Sequence, residues 1–306
     1  MIICNVGKDN WDGTQPISWL TEYYIKFFRN LSDEIEVFEQ LLSISRKVDD
    51  IIIEIDYSEK TLKDLAFIDG LRNKIVIEET FLSFLWTTIF STIVDFDELI
   101  QKRALGRKED LLIQEKSKSV FAYAMSLLSR YRTWDTENLP NPAKHCKAYE
   151  NYINITTMFF QYAFMFIILH ELSHGLLGHD VPFSEKKIED EYDADLLAFQ
   201  LLSESTLLEE DYEFKRDGAI LGLCCILMID SGKNIDHYPD TADRIKALLE
   251  YSKPKIDDWI WGMCGMVIQN WLKFNIDIET KIPKAFPNYI AYFEFMHKMM
   301  KEVKIT

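Results

Sequence analysis

The chain has 306 residues, enough for one large domain or two smaller ones at about 100–200 residues per domain. Its 50 acidic and 34 basic side chains give a formal net charge of −16. This balance argues against a protein that binds nucleic acid or an anionic membrane surface, because both favour clustered positive charge. Hydrophobic residues make up 48% of the sequence, which is typical of a folded globular protein.

Three further features favour a cytoplasmic protein without a transmembrane segment. The N-terminus, MIICNVGKDNWDG, lacks the basic start, apolar stretch and cleavage site of a secretory signal. The longest apolar runs, Met158–Leu169 and Gly218–Ile229, are far shorter than the roughly 20 residues that span a bilayer. The 5 cysteines form no CxxC pair, so we expect free thiols rather than disulfides.

The first half of the chain predicts both helices and strands. Apolar residues return every three or four positions in Ile17–Phe28 and Asp33–Ser45, which predicts two amphipathic helices. The short β-branched segments Asp50–Tyr57 and Asn73–Glu78 predict strands, and Phe81–Val94 predicts a buried helix. The rest of this half is predicted as an exposed connection over Gln101–Asp110, a helix over Leu111–Tyr131 and a loop over Thr133–Cys146.

The second half predicts helices almost throughout, at helical spacing of apolar residues. The predicted helices are Tyr152–Leu177, Ile188–Ser203, Glu209–Asp230, Asp240–Glu250, Asp257–Phe274 and Asn288–Lys301. The whole chain is therefore expected to be an α+β protein that is predominantly helical. We place a boundary in the proline-containing loop, between a mixed α/β region at 1–148 and a helical region at 149–306 of one compact unit.

One motif in the second half carries chemistry: His170-Glu171-Leu172-Ser173-His174, an H-E-x-x-H on an apolar helix. Four residues make just over one helical turn, so His170 and His174 can present their imidazoles to one metal ion. Glu171 is placed to accept a proton from a water that the metal polarises, as in zinc metallopeptidases. Burying these polar groups would be costly unless they bind something, and we therefore predict a catalytic zinc site.

A catalytic zinc ion needs a third protein ligand. In the metzincin pattern, glycine lies three residues after the second histidine and the third ligand lies six residues after it. Here these positions hold Leu177 and Asp180, and the missing glycine counts against Asp180 as the ligand. His179 lies one residue before the ligand position of this pattern. We expect His179 to close the helix end or to face solvent. Glu191 on the next helix matches the gluzincin arrangement, and we favour it as the ligand, with Asp180 and His179 kept as alternatives.

Residues near Glu191 and further along the chain have narrower predicted roles. Asp195, one turn after Glu191, is spaced to accept an N–H from a ligand histidine. Glu189 and Asp190 are explained by the favourable helix dipole at a solvated N-terminus. His237 precedes a helix that Asp240 could cap, where it is either an oxyanion donor in catalysis or a surface histidine.

The two predicted strands have a possible use in substrate binding. Zinc peptidases commonly bind an extended substrate along a sheet edge beside the active-site helix. We therefore expect Asp50–Tyr57 or Asn73–Glu78 to provide such an edge.

The chain resembles the Lit family of phage-exclusion peptidases. The resemblance depends on HELSH, the following EYDAD and the downstream HYPDTADRI, together with the stretches DDIIIEIDY and NKIVIEETFLSFLW. It implies a zincin-like core in which a small β-sheet packs on the active-site helix. It makes His170 and His174 zinc ligands and Glu171 the general base, with Glu191 and Asp195 as the acidic element of the second helix. His237 and Arg244 match the family's downstream segment, and we carry Arg244 over as a residue behind the metal ligands.

The same resemblance implies a biological role. It predicts a cytoplasmic zinc endopeptidase that stays latent until infection, responds to a phage-derived activator and cleaves translation elongation factor Tu. Two alternatives remain. One is a regulatory metallopeptidase of the ImmA/IrrE type acting on a repressor, since His179 matches its H-E-x-x-H-x-x-x-x-H. The other is a non-catalytic zinc-binding interaction protein, which would not require Glu171.

Overall fold

The computed structural model describes residues 3–4, 15–18, 20, 24, 52–62, 66–69, 74–143, 147–179, 188–203, 212–229, 240–276, 283 and 286–304. Of the predicted helix Ile17–Phe28, only residues 18, 20 and 24 are described as helical. The predicted helix Asp33–Ser45 lies outside the described residues.

The described residues of the N-terminal part include a four-stranded sheet. Its strands are β1 (Ile3–Cys4), β2 (Ile52–Asp56), β3 (Ala66–Asp69) and β4 (Lys74–Glu78), in the order β1-β2-β4-β3. β2 pairs in parallel with β1 and β4, whereas β3 is antiparallel to β4. Strands β2 and β4 confirm the two predicted strands. The sequence does not predict β1 and β3, because two and four residues are too short to show an alternating pattern.

The register of β2 against β4 explains why these segments pair. Ile53 lies opposite Ile75 and Ile55 opposite Ile77, and all four side chains are buried. Side chains on a strand alternate between the two faces, so one apolar face of both strands is directed into the core.

Helix α1 (Glu79–Phe96) follows β4 directly and is buried along almost its whole length, as predicted for Phe81–Val94. It continues through a π-helical segment, Asp97–Gln101, into the short helix α2 (Lys102–Ala104). The exposure predicted for Gln101–Asp110 is confirmed over residues 103–108, but residues 101–104 are helical rather than part of a connection. Buried Glu98 explains the difference, since it accepts hydrogen bonds from the Tyr152 hydroxyl and the Asp110 backbone N–H.

The remaining helices match the predicted ones to within a few residues. They are α3 (Leu111–Leu127), α4 (Glu150–Leu176), α5 (Ile188–Ser203), α6 (Tyr212–Ile229), α7 (Thr241–Ser252), α8 (Trp259–Ile276) and α9 (Tyr289–Lys304). Asp110 caps α3 and Asp240 caps α7, each accepting a hydrogen bond from a first-turn backbone N–H. The cysteines of α6 and α8, Cys224, Cys225 and Cys264, are buried free thiols as predicted.

Helix α4 is the central element of the fold. It packs against α1, α5 and α6, and strand β3 also contacts it. By length and composition alone α4 could cross a membrane, but 67% of its apolar window is buried inside the protein, as in the core helix of a soluble protein. The structure confirms an α+β fold that is predominantly helical, with a small sheet in the N-terminal part.

Both predicted regions contribute to one hydrophobic core, because α1 packs against α4, α6 and α8. The boundary between 1–148 and 149–306 stays a prediction.

Candidate metal centre

The two histidines of the H-E-x-x-H motif lie side by side near the C-terminal end of α4. His170 and His174 are only 7% and 5% exposed, and their Nε2 atoms are 3.2 Å apart. Helical periodicity places them on the same face, and the packing of α4 against α5 buries that face. Glu171, the next residue on α4, is half-buried.

Glu191, in the first turn of α5, brings a carboxylate to this pair. Its side chain is buried, with Oε2 at 3.5 Å from His170 Nε2 and Oε1 at 3.5 Å from His174 Nε2. One ligand atom from each of the three residues lies within 4.8 Å of the other two. The cluster of His170, His174 and Glu191 could therefore hold a metal ion.

Asp195 contacts the other nitrogen of the first histidine. Its Oδ1 lies 2.9 Å from His170 Nδ1, whereas Nε2 of the same ring faces Glu191. Asp195 is one helical turn after Glu191, so both carboxylates project from the same face of α5. A carboxylate behind a ligand histidine fixes the orientation of its ring.

Arg244, in the first turn of α7, binds both carboxylates. Its Nε and Nη2 donate to Asp195 Oδ2 and Oδ1 at 2.6 and 2.7 Å, and its Nη1 lies 3.2 Å from Glu191 Oε2. The guanidinium is buried and links α7 to α5. This bidentate pairing neutralises charge that would be costly to bury alone.

The electrostatics of the cluster favour a bound cation. Burial raises the pKa of Glu191 and of Asp195, but His170 and Arg244 outweigh this effect and hold both below their usual range. Burial lowers the pKa of His170, yet Asp195 and Glu191 together raise it to about 9. Both carboxylates are therefore ionised at neutral pH, and a metal ion would take the place of the imidazole proton.

The end of α4 positions His179. Gly178 has a φ of +74°, and the backbone N–H groups of Gly178 and His179 donate to the carbonyls of Gly175 and His174. This Schellman motif confirms that His179 closes the helix end. The alternative that His179 faces solvent is wrong, since its Nδ1 lies 3.1 Å from His174 Nδ1.

Asp190 also has a contact that the sequence reasoning missed. Glu189 is exposed as expected, but the Asp190 side chain is only 16% exposed and its Oδ1 lies 3.7 Å from His179 Nε2. The helix dipole therefore does not account for Asp190 by itself. No spacing rule predicts this contact, because it depends on the turn through Gly178 and on the docking of α5.

The remaining predicted site features have different outcomes. His237 and the alternative ligand Asp180 lie outside the described residues. The expectation that Asp50–Tyr57 or Asn73–Glu78 forms a sheet edge is wrong, because β2 and β4 are the two inner strands. The edge strand that contacts α4 is β3.

Comparison with known proteins assigns the family. No curated protein and no solved structure matches the chain. The family model described as Peptidase U49 matches residues 75–264, a range that runs from β4 into α8 and includes His170, His174, Glu191 and Arg244. The chain therefore belongs to the Peptidase U49 family, and its function is proteolytic.

Proposed function

We propose that this peptidase is a cytoplasmic zinc endopeptidase that cleaves another protein. The observation that carries the proposal is the spacing of the three donor groups. Zn–N distances of about 2.0–2.1 Å imply that two ligand atoms of a tetrahedral site are about 3.3 Å apart. The histidine nitrogens are 3.2 Å apart, and each lies 3.5 Å from an oxygen of Glu191.

The donor set also fits zinc chemically. Two neutral imidazoles and one carboxylate are a known catalytic set for zinc, with the fourth position left to water. Asp195 and Arg244, behind these ligands, fix their orientation and balance their charge. When bound, zinc supplies a Lewis acid that makes water a nucleophile near neutral pH.

Glu171 is the proposed general base. It is adjacent to His170 on α4 but rotated by about 100°, so it borders the ligand face without being a ligand. Its carboxylate accepts the proton of the attacking water and delivers it to the leaving amine of the cleaved peptide bond.

Strand β3 is the proposed contact for an extended substrate. Among the strands that the structure describes it is an edge of the sheet, and it contacts α4, the helix that carries the motif. Addition of a substrate strand to this edge would hold the peptide by main-chain hydrogen bonds.

We further propose the role that the resemblance to the Lit family implies: phage exclusion by cleavage of elongation factor Tu, after activation by a phage-derived component. The net charge of −16 bears on how such an enzyme would select its target. An acidic enzyme gains little long-range steering toward an acidic target, so local shape would have to supply the specificity.

The test is N-terminal labelling mass spectrometry on a bacterial lysate treated with the wild-type protein, with Glu171→Gln as the matched control. Glu171→Gln should bind zinc as the wild type does but produce no new N-termini. One new terminus that depends on Glu171, in elongation factor Tu, is the expected result. The assay is repeated in lysate from infected cells, because the resemblance implies a latent enzyme.

The outcomes separate the parts of the proposal. A new terminus in a different protein would reject elongation factor Tu and keep the endopeptidase. No Glu171-dependent terminus in either lysate, with zinc bound, would favour the non-catalytic alternative. Absence of zinc from protein purified without chelators and then supplied with zinc would reject the metal centre itself.

A further inference from the structure

We propose that His179 is a positioning residue for the metal ligand His174, and that Asp190 completes this arrangement. The proposal rests on the proposed metal centre and adds two residues to it. The structure brings His174, His179 and Asp190 into one chain of contacts on the side of His174 that faces away from Glu191.

The two nitrogens of His174 face different partners. Nε2 lies 3.2 Å from His170 Nε2 and 3.5 Å from Glu191 Oε1, whereas Nδ1 lies 3.1 Å from His179 Nδ1. A metal ion at the cluster uses the lone pair of His174 Nε2, which leaves the ring proton on Nδ1. His174 Nδ1 therefore donates to the lone pair of His179 Nδ1.

This donation determines the tautomer of His179. A neutral imidazole that accepts at Nδ1 carries its proton on Nε2. His179 Nε2 lies 3.7 Å from Asp190 Oδ1, and both side chains are largely buried. The carboxylate thus favours the tautomer in which His179 can accept from His174.

Both ligand histidines then have an outer partner that α5 supports. Asp195 lies behind His170, and His179 with Asp190 lies behind His174. Asp190 and Asp195 flank Glu191 in sequence, so the first turns of one helix supply the third ligand and both acidic supports. Such outer partners hold ligand histidines in one tautomer and one orientation.

The same geometry argues against His179 as a ligand. Its contact is with Nδ1 of His174, not with the Nε2 atoms that converge on Glu191. The Schellman motif through Gly178 fixes the backbone of His179 at this place, because its N–H is bonded to the His174 carbonyl.

The test compares two substitutions in the full-length protein. His179→Phe keeps a planar ring but removes the acceptor, whereas His179→Asn places an amide oxygen close to the former Nδ1. Zinc affinity is measured by competition with a chromogenic chelator, and ligand geometry by the visible absorption of the cobalt-loaded protein. His179→Phe should weaken zinc binding about 10–100-fold and change the cobalt spectrum. His179→Asn should retain most of the affinity, and Asp190→Asn should show a smaller loss than His179→Phe.

Thermal unfolding of the metal-free variants controls for a purely structural effect. Wild-type affinity in His179→Phe, or equal losses in His179→Phe and His179→Asn, would overturn the proposal. Complete loss of zinc from His179→Phe with full retention in Glu191→Ala would make His179 the third ligand, which also overturns it. A wild-type protein that binds no zinc would instead reject the proposed function.

A second measurement needs no variant and covers the case in which His179→Phe does not fold. Two-bond ¹⁵N–¹H correlation spectra of the histidine rings in the zinc-loaded wild-type protein report the tautomer of each ring. We expect His174 with its proton on Nδ1 and His179 with its proton on Nε2. A proton on Nδ1 of His179 would overturn the proposal.

Discussion

Arg244 shows how much of the site depends on one side chain. Its guanidinium is shared between the third candidate ligand, Glu191, and the residue behind the first ligand, Asp195. All three side chains are nearly inaccessible to water. Removing the positive charge would leave two buried carboxylates with only His170 and, for Glu191, His174 as neighbouring partners among the contacts described above.

Arg244→Met should therefore destabilise the metal-free protein by about 3–5 kcal/mol, the usual cost of breaking a buried ion pair. Arg244→Lys should recover only part of the loss, because an ammonium group cannot pair with Asp195 through two parallel bonds. Urea unfolding monitored by circular dichroism measures the free energy of unfolding of both variants. A loss below about 1 kcal/mol in Arg244→Met would show that the contacts of Arg244 are unimportant for stability.

Another buried carboxylate, Asp217 on α6, lies outside the metal cluster and makes stability depend on pH. Burial raises the pKa of Asp217 to about 7, although Arg216 opposes this shift, and Asp258 competes for the same guanidinium. In the unfolded chain the pKa is near 3.9. Between these values the folded state holds a proton that the unfolded state has lost, so Asp217 makes the protein less stable as pH rises from about 4 to 7.

Asp217→Asn removes this dependence and keeps an oxygen to accept from Arg216. The free energy of unfolding of the variant relative to wild type should rise by at least about 1 kcal/mol between pH 4 and pH 8, since one pKa unit corresponds to about 1.4 kcal/mol. Urea titrations at several pH values measure the difference. A difference that is constant with pH would refute the raised pKa.

At the scale of the elements, two glycines of α6 determine how closely this helix packs against α4, the helix that carries the H-E-x-x-H motif. A Cβ on Gly218 would lie 2.4 Å from the Cβ of Tyr162 and 3.1 Å from the Phe159 carbonyl oxygen. One turn later, a Cβ on Gly222 would lie 3.4 Å from the Ala163 carbonyl oxygen, an ordinary contact. The two helices are therefore in contact through backbone at the first glycine and have room for a methyl group at the second.

Gly218→Ala should destabilise the protein by about 1–3 kcal/mol or more, because α4 and α6 must move apart. The matched variant Gly222→Ala should be neutral or slightly stabilising, since alanine is the better helix former by about 1 kcal/mol. Differential scanning calorimetry of both variants is the measurement. Equal effects would contradict the close approach of the two helices at Gly218.

At the scale of the whole molecule, the candidate metal centre joins separate parts of the chain. Two candidate ligands come from α4 and the third from α5, and the contacts of Arg244 extend the site to α7. Asp243, next to Arg244, contacts His297 on α9 at 2.9 Å, so the last helix also supports α7. A metal ion that binds only the folded arrangement stabilises all of these elements together.

Zinc should raise the midpoint of thermal unfolding by several degrees, because a free metal concentration of 100 times Kd contributes about 2.7 kcal/mol. Chelation should reverse the shift. Glu171→Gln should show the same zinc-dependent rise in the midpoint as the wild type, whereas Glu191→Ala should lose most of this rise. An undiminished rise in Glu191→Ala would exclude Glu191 as the third ligand and favour Asp180 or His179 in its place.

Local patterns in the sequence were sufficient for much of this fold. The spacing of apolar residues predicts α3 to α9 to within a few residues, and β-branched runs predict β2 and β4. The pairing of His170 with His174 follows from helical geometry alone, since both residues belong to one helix. The spacing of Glu191 and Asp195 also predicts that they share a face of α5.

The tertiary structure decided which of these groups meet. The contact between His179 and His174 depends on a left-handed turn at Gly178, and the one between Asp190 and His179 depends on how α5 docks on α4. Strand β3 becomes the edge beside α4 only through pairing with β4, since four residues carry no pattern of their own. Spacing rules extend over one helix or one strand, whereas each of these contacts joins groups whose distance is set by packing.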